Sequence, residues 1–354
     1  MKRDLLRVVE AGYDDLADER AWLQGIADAA RVLLDDGLGL FANVYQLAPR
    51  GESPKRTPFV TAGNVVDAKK RQRAIDRDSP PEVIEATFGR SQVATLNEVL
   101  GHPVDARLAP VNDQLAPYGA RDAMGLVTVE PNGLGLSINV ALRAPRILSP
   151  VFRERWLRVM AHLGAGLRLR RQTGDEEAVL DLSGQLHDAK GQAQEAESRS
   201  ALRHAARAID RARARRRSAP DEALAAWRAL TEGRWSLVDR FESDGRHFLI
   251  ARPNAPRPTV GARGLTAREA CIVALAARGR SNKLIAYELG LSIGTVGTLL
   301  SRAARKLGVR SRAQLVIEWN TRARLAHEAA KETGSEATDR SPRLRRSPHR
   351  CSHR

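Results

Sequence analysis

The 354-residue sequence contains only two cysteines, few aromatic residues and no long apolar run. Two cysteines cannot build a disulfide framework or a cysteine-rich zinc site, which indicates a reducing, intracellular environment. No apolar run approaches the roughly 18 residues that a transmembrane helix needs. The N-terminal segment also has acidic residues where a signal peptide needs an apolar stretch. We therefore expect a soluble, cytoplasmic protein that does not contact a membrane.

Motifs of enzymes and metal sites are missing as well. The sequence has no G-x-x-x-x-G-K phosphate loop, and GLGLS at 133–137 is not a nucleophile elbow because its serine lies outside the two glycines. The eight histidines are scattered without metal-ligand spacing, and the closest pair is His349 and His353. Asp35-Asp36 follows an amphipathic helix rather than a strand, which argues against a phosphoacceptor receiver domain. We expect no catalytic activity, no cofactor and no bound metal.

Lysine is scarce whereas arginine is abundant: the sequence has 8 lysines and 50 arginines, and its net charge is +16. Residues 1–260 are nearly neutral, with 39 basic and 35 acidic residues, while residues 261–325 carry 12 basic and 3 acidic residues. A compact basic segment behind a near-neutral body is typical of a module that binds a polyanion, because neutralising phosphates releases counterions. From charge alone, a solvated basic face without a partner is the alternative.

Hydrophobic periodicity divides the chain before this basic segment into two α+β units. The first unit, residues 1–172, has helical spacing at both ends and β-forming runs between them. We predict helices at 3–17, 21–34, 80–89 and 149–171, strands at 38–48 and 57–63, and a hairpin over 123–142 that turns at Pro131-Asn132-Gly133.

The second unit, residues 173–256, is smaller. Its pattern predicts two strands over 178–189, helices at 193–214 and 220–231, and a hairpin over 234–253 that turns at Ser243-Asp244-Gly245. The Pro- and Gly-rich run at 253–264 is predicted to be an interdomain linker. The C-terminal tail, residues 326–354, lacks apolar content, so we predict that it is disordered.

Residues 257–325 have the pattern of a module of four helices. Thr266 and Glu269 form a capping box at the start of the first helix. A tight turn at Gly290-Leu291-Ser292 separates the second and third helices. A helix, a three-residue turn and another helix are the geometry that places the latter helix in the major groove of DNA. The third helix has an apolar face, which consists of Val296, Leu300, Ala303 and Leu307.

Several short pieces of this module keep fixed spacings. They are Leu265-Thr266-x-Arg268-Glu269, Gly279-x-Ser281-Asn282-Lys283-x-Ile285-Ala286, Leu289-Gly290-x-Ser292, Thr295-Val296 and Lys306-Leu307-Gly308-Val309. With these pieces the module resembles the LuxR/NarL-type helix-turn-helix of transcription regulators. The resemblance implies an all-α domain that binds double-stranded DNA, with base contacts just after Thr295-Val296. It also implies phosphate contacts around Lys283, Thr295 and Lys306, and dimerisation through the fourth helix near Leu315, Val316 and Trp319.

The recognition helix departs from the family pattern directly after Thr295-Val296. The family commonly continues with a lysine, a variable residue and a histidine, whereas this chain has Gly297, Thr298 and Leu299. Each glycine in this helix weakens it by about 1 kcal/mol relative to alanine. Recognition of the DNA sequence must then come from base contacts by Thr298, Ser301 or Arg302, or depend on DNA shape. The predicted DNA-contacting set is Lys283, Ser292, Thr295, Gly297, Thr298, Ser301, Arg302, Arg305 and Lys306.

Two weaker resemblances concern the N-terminal units. The order of helix, strands, hairpin and long helix over 20–172 is similar to a GAF domain. The strands that open and close residues 173–256 are similar to the ends of a PAS domain. Both folds place a small-ligand pocket or a partner surface against a central sheet, so they imply a sensory region for an unidentified small-molecule or protein signal. A scaffold that only holds a dimer is the alternative.

Together these features predict a multidomain, one-component, sequence-specific transcription regulator, a homodimer whose sensory region controls its DNA-binding module, with RNA polymerase as a further candidate partner. One alternative is a sigma-type initiation factor, since GTVGTLLSRAARKL at 294–307 also resembles a promoter-reading helix. That alternative requires an upstream helical region that binds core polymerase. The other is a small-molecule-binding enzyme with a DNA module, which no catalytic constellation supports.

Overall fold

Two α+β units and a helical C-terminal domain make up the chain in a computed structural model. The structure describes residues 5–14, 18–47, 55–56, 59–70, 73, 77, 81–100, 116–171, 177–215, 219, 222–224, 230–231, 235–241, 247–253 and 264–338. The predicted linker, apart from its two end residues, and the predicted turn at 243–245 lie outside this set. The prediction of an α+β region followed by a helical domain is confirmed.

The first unit is built on a six-stranded antiparallel sheet. β1 pairs with β6 on one side and with the short edge strands β2 and β3 on the other. β5 lies between β6 and β4. The β5–β6 hairpin turns where the sequence predicts it, and Gly133 at the turn has φ +85°, which favours glycine. The strands are β1 (Leu40–Gln46), β2 (Lys55–Arg56), β3 (Val60–Ala62), β4 (Gln92–Thr95), β5 (Asp122–Val129) and β6 (Leu134–Leu142).

Helices lie on both faces of this sheet. One face is covered by α1 (Leu5–Tyr13), α2 (Glu19–Leu34) and α5 (Pro150–Arg170), and the other by the shorter α3 (Pro81–Phe88) and α4 (Leu96–Leu100). Because side chains alternate along a strand, Leu136, Ile138 and Val140 of β6 join the core under α1, α2 and α5. Ser137 and Asn139 lie on the opposite face of the sheet. The unit is therefore an antiparallel sheet with three helices on one face and two short helices on the other.

The second unit repeats the strand order of the first. Its strands are β7 (Ala178–Asp181), β8 (Leu186–Ala189), β9 (Leu230–Thr231), β10 (Trp235–Phe241) and β11 (His247–Pro253), and its long helix is α6 (Ala196–Arg215). The sheet order is β8-β7-β11-β10-β9. In both sheets the first strand lies between the second strand and the last, and the last strand is followed by the two strands that precede it in the chain; the first sheet has β3 as an additional partner of β1. The two units therefore share a topology that no sequence repeat indicates.

The C-terminal domain consists of α7 (Ala267–Ala277), α8 (Asn282–Leu289), α9 (Ile293–Lys306) and α10 (Arg312–Thr338). The structure corrects the expected disorder of the tail over 326–338, because α10 continues there from a first part that packs in the core of the helical domain. The prediction of a helix over 220–231 is wrong at its last two residues. Residues 230–231 form the strand β9, which pairs with β10. The first predicted helix ends at Tyr13.

α1 and α5 approach each other closely at two glycines. A Cβ on Gly166 would lie 2.0 Å from the carbonyl oxygen of Gly12, and a Cβ on Gly12 would lie 2.6 Å from Cδ2 of Leu163. Trp22 Nε1 on α2 donates to the same Gly12 oxygen over 3.1 Å. This contact ties the three covering helices together.

Gly166→Ala should lower the unfolding free energy by about 1–3 kcal/mol, because the added methyl group forces two packed helices apart. Gly25→Ala on α2 is the matched control, since no atom lies within 4 Å of its added Cβ. That control should raise stability by about 1 kcal/mol, as expected when alanine replaces a helical glycine. Urea unfolding followed by circular dichroism measures both variants. Equal effects of the two substitutions would contradict the close approach.

Candidate nucleic-acid interface

The helix-turn-helix consists of α8 and α9, and side-chain caps define where each helix begins. Ser281 Oγ accepts from the Leu284 N–H over 3.2 Å, and Ser292 Oγ accepts from the Thr295 N–H over 3.0 Å. Gly290 ends α8 in the left-handed conformation at φ +64°. α9 turns by 110° from α8, within the about 90–120° of this motif.

α9 presents a polar face to solvent. Val296, Leu300 and Ala303 are buried in the domain core, at the spacing predicted from the sequence. The exposed residues of α9 include Thr298, Ser301, Arg302 and Arg305. Hydroxyl and guanidinium groups are donors that reach phosphates and base edges. The structure therefore brings four of the predicted contact residues together on one helix that can enter a groove.

The start of α9 holds two more predicted residues. Ser292 Oγ and Thr295 Oγ1 form a hydrogen bond of 2.8 Å, and both residues are exposed. The partial positive charge of a helix N-terminus favours a phosphate at this place. A Cβ on Gly297 would meet no atom within 4 Å. Packing inside the chain does not require glycine at 297.

Both predicted phosphate-binding lysines are already in ion pairs. Lys306 Nζ lies 2.7 Å from Glu269 Oε2 in the same domain. Lys283 Nζ lies 2.8 Å from Oε1 of Glu154, which belongs to α5 of the first unit. Hydrogen bonds from these lysines lower the pKa of both carboxyls below the usual range. A phosphate at Lys306 would compete with a carboxylate of the same domain, whereas a phosphate at Lys283 would compete with a carboxylate of the first unit.

The predicted dimerisation residues do not share one surface. Leu315 and Trp319 are buried in the core of the helical domain, and Val316 is half-buried. The expectation that all three meet a second copy is corrected for Leu315 and Trp319, because these side chains pack against α7 and α9 instead. The large apolar side chains that α10 exposes are Ile317 and Leu325.

The helical domain packs on the first unit through a buried ion network. The guanidinium of Arg280, only 1% exposed, donates to Glu288 Oε1 over 2.5 Å and to Glu130 Oε1 over 3.0 Å. It also donates to the Val129 carbonyl oxygen over 2.7 Å. Glu130 accepts a further hydrogen bond of 2.7 Å from Arg168 of α5. Two arginines and two glutamates thus balance their charges where the domain meets the first unit.

The turn before α8 reinforces this network. The Ser91 N–H donates to the Arg278 carbonyl oxygen over 2.8 Å, and Arg278 Nη2 donates to the Pro131 carbonyl oxygen over 3.1 Å. Gly279 has φ +83°, and a Cβ there would lie 3.1 Å from Cβ of Arg90. Glycine at 279 therefore both ends α7 and lets the turn lie against the first unit.

A chain of hydrogen bonds continues the contact through α5. Tyr13 Oη lies 2.9 Å from His162 Nδ1, and Tyr287 Oη lies 2.6 Å from His162 Nε2. Tyr287 Oη also donates to the Leu224 carbonyl oxygen over 3.2 Å. Burial lowers the pKa of His162 to about 3, so its ring is neutral. A neutral imidazole donates from one ring nitrogen and accepts at the other, so His162 links Tyr13 to Tyr287.

We call these contacts the docking contact: Arg280, Lys283 and Tyr287 of the helical domain with Glu130, Glu154 and His162 of the first unit. Sequence patterns do not single out Arg280 or Tyr287, which occupy variable positions between motif residues. Their partners Glu130 and His162 lie 150 and 125 residues earlier. A local sequence pattern cannot predict contacts between residues that lie so far apart in the chain.

Arg280→Met should lower the unfolding free energy by about 3–5 kcal/mol, because Glu130 and Glu288 would keep buried charges that lack their main partner. Arg171→Met is the control, since the exposed Arg171–Glu19 pair contributes at most about 1 kcal/mol. Thermal and urea unfolding measure both variants. A loss at Arg280 no larger than at Arg171 is incompatible with a buried network.

Stability should fall with acidity through His162. Its pKa is about 3 in the folded chain and about 6.5 when unfolded. Between these values the unfolded state binds the extra proton, so the stability present above pH 6.5 is lost as the pH falls, by up to about 1.4 kcal/mol per unit. Urea unfolding from pH 7.5 to 4.5 should show this slope in excess over His162→Gln. Parallel pH profiles for the two proteins contradict the assignment.

The described part of the chain offers neither a metal-binding cluster nor a single membrane-spanning helix. No group of three or more His, Cys, Asp or Glu side chains among the described residues is placed to hold a metal ion. No single helix within those ranges is long and apolar enough to cross a bilayer. α8 and α9 meet the criteria of length and composition only when taken together as a bent pair.

Comparison with known proteins identifies the C-terminal domain. Residues 263–319 match the family model of the bacterial regulatory proteins of the luxR family. No curated protein matches the chain. Among solved structures, the chain is similar to Escherichia coli SdiA, with 14% identity over 90% of this chain and 94% of that chain and a TM-score of 0.30.

A second similar structure is SdiA in complex with octanoyl-rac-glycerol, with 16% identity over 90% of this chain and 92% of that chain and a TM-score of 0.24. Likeness at these TM-scores carries no argument about the N-terminal units. The family match covers α7, α8, α9 and the first part of α10. Residues 263–319 are therefore a LuxR-family helix-turn-helix domain.

Proposed function

We propose that the protein is a one-component transcription regulator rather than an enzyme: a cytoplasmic homodimer that binds a specific DNA sequence. The observation that carries the proposal is the exposed row of Thr298, Ser301 and Arg302 on the recognition helix of a LuxR-family domain. The excess of 12 basic over 3 acidic residues in 261–325 supplies the attraction to phosphate that such binding needs.

Control by the N-terminal units is the second part of the proposal. The docking contact joins α8 to β5 and α5 through Glu130 and His162. A change in the first sheet or in α5 therefore acts directly on the helix that precedes the recognition helix. This physical connection supports a regulator in which a signal alters how the DNA-binding domain is held.

We place the signal on the sheet face opposite α1, α2 and α5. Ser137 Oγ donates to Asn43 Oδ1 over 2.8 Å, and Asn139 Nδ2 donates to Ser137 Oγ over 3.0 Å. Nδ2 of Asn43 is buried without a hydrogen-bond partner among the described residues. A buried donor left in this state costs about 1–3 kcal/mol, which a small molecule with a carbonyl or carboxylate oxygen would offset. The GAF-like and PAS-like assignments of the two units are part of this proposal, supported by their shared strand order.

Dimerisation through α10 is also proposed, with a changed set of contacts. Leu315 and Trp319 already fill the core of their own domain, so the surface left for a second copy includes Val316, Ile317 and Leu325. A two-fold dimer of helix-turn-helix domains reads two half-sites of an inverted repeat, which are separated by whole turns of DNA. RNA polymerase is the proposed later partner of the DNA-bound dimer.

Selection of bound sequences from random duplex DNA with the full chain tests this function, and enrichment of one inverted repeat is expected. On the selected site, Thr298→Ala or Arg302→Ala should each weaken binding by about 1–3 kcal/mol and relax specificity at one position. Lys306→Ala should weaken all sequences nearly equally. Arg199→Ala removes an exposed arginine of α6 and is the control that should change little.

The outcomes separate the alternatives. Enrichment without any effect of Thr298→Ala or Arg302→Ala overturns the readout assignment but leaves DNA binding intact. No enrichment overturns the proposed regulator. Tight binding of core polymerase in the absence of DNA would instead support the sigma-type factor.

A further inference from the structure

The pair formed by Lys283 and Glu154 joins a DNA-contacting residue to an acidic residue of the first unit. We propose that the Glu154 carboxylate occupies the place of a DNA phosphate at Lys283, so that the first unit lowers DNA affinity while the docking contact is formed. This inference rests on the proposed DNA-binding function, and it assigns Glu154 of α5 as a residue that sets DNA affinity without touching DNA.

Lys283 stands where a backbone phosphate is expected. It lies in the first turn of α8, and the first helix of a helix-turn-helix pair crosses the DNA backbone. Its side chain is 58% exposed even in the ion pair, so the ammonium group is at the domain surface rather than in a core. An ammonium group of this kind contributes to affinity by neutralising one phosphate and releasing its counterion.

Glu154 is held firmly in its position by its surroundings. Arg158, one turn later on α5, donates to Glu154 Oε1 over 2.6 Å. The Arg158 guanidinium lies over the ring of Tyr287, 5.5 Å from its centroid. Tyr287 in turn is bound to His162 of α5. Although the Glu154 side chain is 45% exposed, these contacts favour a carboxylate position beside Lys283 while Tyr287 is docked.

A phosphate cannot use Lys283 fully in this arrangement. Two anions that both bind one ammonium group over hydrogen-bond distance lie only about 5 Å apart, and they repel each other. The phosphate must displace Glu154 or accept that repulsion. Because α9 keeps its polar face exposed in the docked chain, the effect is a graded loss of affinity at one phosphate rather than a blocked recognition helix.

Glu154→Gln in the full chain tests this inference, because it removes the charge and keeps the shape of the side chain. DNA affinity should rise about two- to fivefold, the range of one exposed charge pair. The dependence of log K on log salt should also steepen by about 0.9, the value for one added phosphate contact. Glu19→Gln is the matched control: it removes an equal charge from the exposed Glu19–Arg171 pair of the same unit, and neither quantity should change.

The same substitution in a Lys283→Met background completes the test. Without Lys283 there is no phosphate contact to compete for, so Glu154→Gln should have no effect there. Circular dichroism and unfolding midpoints verify that the variants fold. A gain that persists without Lys283, or an equal gain from Glu19→Gln, overturns the inference, because either result reflects net charge alone.

Failure of the inference and failure of the proposed function look different. If the unmodified chain binds its selected DNA and Glu154→Gln binds with the same affinity and salt slope, only the role of Glu154 is refuted. If the unmodified chain binds no DNA at low salt, the proposed function itself fails.

Discussion

The arrangement of the DNA-binding domain on the rest of the chain depends on the buried guanidinium of Arg280. Each charge in its network comes from a different element: Glu130 from the end of β5, Arg168 from α5 and Glu288 from α8. Since an unpaired charge at this depth is strongly destabilising, the network holds only when all three elements are in place. The docking contact is therefore an all-or-none feature. A displacement of β5 or α5 therefore breaks the docking contact as a whole rather than lengthening its hydrogen bonds gradually.

The two helices of the helix-turn-helix face different partners as a consequence. α8 is turned toward the first unit through Lys283 and Tyr287, whereas α9 is turned toward solvent through Thr298 and Arg302. Lys283 lies where these two roles overlap, because it belongs to the docked helix and yet is available to a phosphate. In the proposed regulator, control of DNA binding then does not need to cover the recognition helix. It needs only to change the position of α8 and the partner of one lysine.

The local structure of the helical domain could be predicted from sequence, because its boundaries are set by neighbouring residues. The capping box at Thr266, the caps at Ser281 and Ser292 and the left-handed Gly290 all act within four residues. The first hairpin, with Gly133 at its turn, was predictable for the same reason. The docking contact was not, since Arg280 meets a partner 150 residues away. Leu315 and Trp319 show the same limit, because an apolar stripe indicates burial without saying whether the same domain or a second copy covers it.

The docking contact is an interface that can separate at a modest cost in free energy, because it is built from charged groups. A buried ion network adds little net stability compared with apolar packing of the same volume, because removing charges from water opposes their attraction. When the contact separates, Arg280, Glu130 and Glu288 regain hydration, which offsets much of the lost pairing. Separation of α1 from α5 has no such compensation from hydration, because exposing the apolar surface between them costs about 25 cal/mol per Å². In the proposed regulator, movement in response to a signal should therefore occur between α8 and the first unit, while the core under α1, α2 and α5 stays closed.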